Sequence, residues 1–124
     1  MRTFLVAFIS FLIIDLPWIG FIGKRFYDTW LSPFARTIRL APALGTYLLL
    51  AVGITIFVLP QAKGSATHAA LLGGILGAIT YGVYDLTNYA VLTKYSLQMT
   101  LIDWAWGTLL CAVVSYIVYS TSGA

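Results

Sequence analysis

All four acidic residues of this 124-residue chain are Asp, and three of them stand inside apolar runs. Asp85 and Asn88 fall one helical turn apart in Tyr84-Asp85-Leu86-Thr87-Asn88, Asp15 opens Asp15-Leu16-Pro17-Trp18, and Asp103 opens Asp103-Trp104-Ala105-Trp106-Gly107. A carboxylate at depth in hydrocarbon costs several kcal/mol even on mild insertion scales, so such residues face a bundle interior and find partners there. Carboxylate and amide oxygens suit a proton, a hard cation or a small cationic molecule. Catalysis on a lipid, with one Asp as general acid or base, is a second chemistry the same residues could support. The chain has no nucleophile elbow, intramembrane Ser/His pair, His cluster or phosphate-cradling loop, so no catalytic residue, cofactor or metal ligand set is assigned.

The runs that hold these acids decide the fold class. With 60% hydrophobic and 9% charged residues and a mean hydropathy of +0.93, the chain lies outside the range of soluble domains, about a quarter of whose residues are charged. Runs at about 3–22, 41–59, 69–92 and 97–119 each approach the roughly 20 residues that cross a bilayer. The expectation is an all-α, single-domain bundle of four transmembrane helices over residues 1–124. The first run is read as a mature helix, since it exceeds a signal peptide's apolar core and contains Asp15 and Pro17. Pro17 cannot donate its backbone hydrogen bond, which predicts a kink near Asp15.

Between the first two runs, Lys24, Arg25, Arg36 and Arg39 alternate with Phe26, Tyr27, Trp30 and Phe34. Such a mixture belongs at the headgroup level, and Ser32-Pro33 offers an N-cap and first helical position for a short interfacial segment. Asp28 has local basic partners. His68 stands alone at a loop edge and reads as a surface residue, and the single Cys111 as an apolar filler. No basic stripe with interleaved aromatics marks a nucleic-acid site. The first and third loops hold Lys24, Arg25, Arg36, Arg39 and Lys94, against Arg2 and Lys63 at the N-terminus and second loop. By the positive-inside rule both termini then lie outside the cytoplasm.

Counted from the helix ends, Asp15, Asp85 and Asp103 all lie about 10 Å deep on one side, at roughly 1.5 Å per residue. In the third run Gly74, Gly77, Ala78, Tyr81, Asp85 and Asn88 share a stripe, and Gly73 with Gly77 has the GxxxG spacing of close helix packing. Three ionised carboxylates in one low-dielectric layer repel, so the layer needs donors, a proton or a cation. Asn88, the hydroxyls of Tyr81, Tyr84 and Tyr47, and the indoles of Trp18, Trp104 and Trp106 are the donors within reach. The candidate binding set is Asp15, Asp85, Asn88, Asp103, Tyr81, Tyr84, Trp18 and Trp106.

The three segments Asp15-Leu16-Pro17-Trp18, Tyr81 to Ala90 and Thr100 to Gly107 resemble the signature segments of the predicted membrane protein family known as domain of unknown function 2177. Trp18 matches the family's Trp after the Asp of helix one, and Pro17 is a local departure. The resemblance implies four membrane helices and no established activity. Three readings remain open: a site that binds or conducts a proton, cation or small polar molecule; a structural or assembly subunit whose polar layer fixes helix register; and a cofactor-free membrane enzyme acting on a lipid. The expected partners are the bilayer, a cation or small polar ligand, and further copies of the chain.

Overall fold

Two serines set the starts of the two longest helices. In the computed structural model, which describes residues 2–31, 39–62 and 64–122 but not the side chains of residues 22, 24–26 and 122, Ser65 and Ser96 each accept a backbone N–H three residues on, from His68 at 2.9 Å and Met99 at 3.0 Å. A side-chain oxygen in that position satisfies one of the orphan donors of a helix's first turn. The helices they begin are α4, Ala66–Val91, and α5, Leu97–Ser122. The cap starts α4 three residues before the apolar run, because Thr67 and exposed His68 lower hydropathy without disturbing the helix.

The remaining elements are α1, Arg2–Pro17, continued by a π-helical turn over Trp18–Ile22; α2, Lys24–Trp30; and α3, Leu40–Gly53, continued by a π turn over Ile54–Val58 and a 3-10 turn over Leu59–Gln61. Where a kink is expected at Pro17, the helix widens immediately after it: the Gly23 N–H reaches back five residues to the Trp18 carbonyl. A proline withholds one backbone donor, and a π turn is one way to resume the ladder. Four helices, Arg2–Phe21, Leu40–Gln61, Ala66–Val91 and Leu97–Thr121, are long and apolar enough to span a membrane. Large apolar side chains such as Phe21, Leu49 and Val91 stand exposed on their outer faces, which suits acyl chains and would be a liability in water.

Apolar burial gives little drive between helices already in lipid, so close packing and interhelical hydrogen bonds must hold them. The α4–α5 seam shows how. A Cβ at Gly73 would strike the Cys111 carbonyl and Ser115, one at Gly77 the Gly107 carbonyl, and one at Gly107 the Tyr81 ring. The backbones therefore approach only because these positions lack side chains. Gly82 makes room for the Trp104 indole, whose N–H donates to the Ala78 carbonyl across the seam at 2.8 Å. The expected Gly73/Gly77 spacing thus faces α5.

The α3–α4 turn is fastened to the same pair. Gly64 takes φ +91° there, a conformation that favours glycine, and its N–H donates to the Tyr119 hydroxyl of α5 at 3.0 Å.

Helix α1 buries Ala7, Phe11 and Asp15, a four-residue repeat that makes one inward stripe. Asp15 therefore faces inward for the same reason as Phe11. The stripe packs against α3 and α5, and the shared core includes Phe11, Ile54, Leu110, Val114 and Val118. Between the first two spans the chain forms the short helix α2, which ends before the Ser32-Pro33 cap of the expected interfacial segment. That cap lies outside the described residues.

Candidate functional site

Asp15 sits one turn above the core, 5% exposed. Its carboxylate accepts from the Trp106 indole N–H of α5 at 2.7 Å and from the Tyr47 hydroxyl of α3. Three helices meet on one side chain. Trp106 also stacks face to face on Trp18 of the π turn, with ring centroids 4.4 Å apart and planes 11° from parallel.

From Trp18 the network continues into α2. The Trp18 indole donates to the Tyr27 hydroxyl at 2.9 Å, and that hydroxyl donates to Asp103 Oδ1 at 2.9 Å. Burial pushes the Tyr27 hydroxyl above the usual tyrosine range, and the negative charge of Asp103 pushes it further. It stays a neutral donor. Sequence reasoning put Tyr27 among headgroup anchors because its neighbours are basic and aromatic. The helical spacing of Gly23 and Tyr27, which brings the ring back over Trp18, was the available signal.

Behind Asp103 lies Asp85 of α4, fully buried at 0% exposure. Its Oδ1 accepts from the Tyr95 hydroxyl at 2.8 Å, and its carboxyl group is within hydrogen-bonding reach of that of Asp103. Tyr95 is a second residue missed from sequence, where it is one letter in a short loop. The turn is tight, with the Tyr95 N–H bonded to the Leu92 carbonyl at 3.1 Å, and this folds the ring under α4. Burial, and next the bond to Asp85, push the Tyr95 hydroxyl above the ordinary range. Asn88 lies on the same side, its amide within hydrogen-bonding reach of the Tyr84 and Tyr95 hydroxyls.

A cavity of about 490 Å³ opens between these groups, lined by Asp15, Asp103, Trp18, Trp106, Tyr81 and Tyr84 among the candidate residues, and also by Tyr27, Thr46 and Tyr47. Six of the eight residues expected in the site thus border one space. Asp85 and Asn88 do not: they stand behind its wall and reach it through Asp103 and Tyr84. The three acids share a layer but divide into a lone Asp15 and a pair. Among the described residues no three His, Cys, Asp or Glu side chains cluster closely enough to hold a metal ion. Trp104, counted among the donors, turns to the Ala78 carbonyl instead.

The helices and the buried acid layer define the class: an integral, multi-pass membrane protein with four spans and intramembrane carboxylates. The family described as "Predicted membrane protein (DUF2177)" matches residues 1–120, and the chain belongs to it. No curated protein and no solved structure matches the chain.

Proposed function

We propose that the chain binds a small organic cation in the cavity between Asp15 and Asp103. One observation carries this reading. Two carboxylates from different helices line one cavity, and every donor to them among the described side chains is a neutral hydroxyl or indole N–H. Neutral donors orient a carboxylate without cancelling its charge, so the space between the two favours a positive guest. A volume of about 490 Å³ falls among small-molecule sites, about 300–1,000 Å³, and exceeds what a bare ion fills. The aromatic walls add cation–π attraction for an ammonium group. By the excess of Lys and Arg in the first and third loops, the α2 side of the cavity would face the cytoplasm.

A structural reading keeps one supporting fact. Both Asp15 oxygens already accept a hydrogen bond, as a network that fixes register would require.

Thermal unfolding of the detergent-purified protein separates the two. Methylammonium, tetramethylammonium, choline, Na⁺, K⁺ and Mg²⁺ would each be titrated against wild type and Asp103→Asn. A cation that binds only the folded state stabilises it by about 2.7 kcal/mol at a hundredfold excess over Kd. The expected result is a midpoint raised by an organic ammonium in wild type and unmoved in Asp103→Asn. Equal responses of the two proteins to every cation would leave only the structural reading.

A further inference from the structure

The innermost acid points to a second site. Asp85 is fully buried, its Oδ1 is occupied by Tyr95, and its Oδ2 has no donor among the described residues. That orphaned oxygen belongs to a carboxyl group lying against the carboxyl group of Asp103. Ionised carboxylates only accept hydrogen bonds, so two of them cannot satisfy each other. At such separation in a low-dielectric interior both cannot remain charged, and a single O–H between them removes the repulsion and the orphan together.

We propose that Asp85 and Asp103 hold one proton between them, making an internal proton site behind the cavity that leaves the pair with a single negative charge. The proton binds one carboxylate oxygen as an O–H and donates to the other carboxylate, with no further reactant.

The surroundings fit this charge state. From α4 the pair meets Tyr84 and Asn88, from the α4–α5 turn Tyr95, from α2 Tyr27 and, across the cavity from α1, Asp15. None of these is a cation, so none of them can replace the proton as the compensating charge. Asp103 lines the cavity whereas Asp85 does not. A proton leaving Asp85 therefore passes to Asp103 before it reaches the cavity. A guest in that cavity meets one charge on the pair rather than two.

The proton site needs no guest, so its test stands apart from that of cation binding. Infrared spectra of the detergent-purified protein at neutral pH should contain the carbonyl band of a protonated carboxylic acid in wild type and in Asp15→Asn. The band should be absent from both Asp85→Asn and Asp103→Asn, because each removes the proton's need as well as one of its holders. Asn at either position offers the other an N–H where the protonated acid offered O–H, so a donor is kept between the two positions. Should either variant fail to fold, wild type labelled with ¹³C at the Asp carboxyl carbons decides, since the chain has four Asp and no Glu. Two of the four signals should then titrate together as one coupled pair. Absence of the band from wild type, its survival in Asp103→Asn, or four independent carbon titrations would each overturn the shared proton.

Discussion

Trp106→Phe is the substitution that probes the whole layer through one atom. It removes the indole N–H that donates to Asp15 at 2.7 Å and keeps a ring against Trp18. A hydrogen bond to an ionised acceptor is worth about 1.5–3 kcal/mol. Neutral interhelical bonds in membrane proteins average about 0.6 kcal/mol in double-mutant cycles. Some of the stack with Trp18 is lost as well, up to about 1 kcal/mol. The single variant should therefore lose about 1.5–4 kcal/mol of stability. The cycle with Asp15→Leu isolates the bond, because the loss of the Tyr47 contact and the change in stacking cancel between its legs. Unfolding by titrating a denaturing detergent into mild-detergent micelles, followed by far-UV circular dichroism, gives the four free energies. With Asp15 ionised the coupling should reach about 1.5–3 kcal/mol, and a value near 0.6 would instead mark Asp15 as a neutral acid. Coupling within about 0.5 kcal/mol of zero would refute the bond, and with it the reason given for Asp15 and Trp106 sharing a wall.

Gly107→Ala places a methyl group in the Tyr81 ring and should cost about 1–3 kcal/mol by overpacking, whereas Gly45→Ala, with nothing within 4 Å, should be neutral or mildly stabilising; the same unfolding titration compares them. Alkaline pH should weaken the fold: the Tyr27 and Tyr95 hydroxyls are held above their ordinary value of 10.0, so above pH 10 the unfolded chain releases protons that the folded chain keeps, and stability falls as pH rises. Tyr27→Phe and Tyr95→Phe should each flatten that decline between pH 9 and 11, and a decline unchanged in both would show that other groups cause it.

Asp15, Asp85 and Asp103 were legible because an acid inside an apolar run has few ways to exist, and helix arithmetic alone puts the three at one depth. Trp18 and Trp106 followed as donors one turn or less from an acid. Tyr27 and Tyr95 were harder to read: Tyr95 lies in the α4–α5 turn, and Tyr27 in the short helix α2, whose direction depends on the break at Gly23 that starts it. Asn88 is a different case. It shares a stripe with Asp85, but α4 turns its amide toward Tyr84 and Tyr95 rather than toward the cavity. Pro17 announced an irregularity and left its form open, because a missing donor can be accommodated by a bend or by a wider turn. The hydropathy runs located all four spans to within a few residues of the helices, and α4 exceeded its run because Ser65, a polar residue, decides where that helix starts.

The stack of Trp18 on Trp106 also has an optical consequence. Two indoles 4.4 Å apart and 11° from parallel share their electronic excitation, and one is carried by the turn after α1 while the other is carried by α5. The protein thus contains an unlabelled reporter of contact between those two helices, visible in near-ultraviolet circular dichroism, where fixed aromatic packing leaves its signature. Separation of α1 from α5 would extinguish that signal while far-ultraviolet helicity persisted, so the assembly of the acid layer can be timed apart from the formation of its helices.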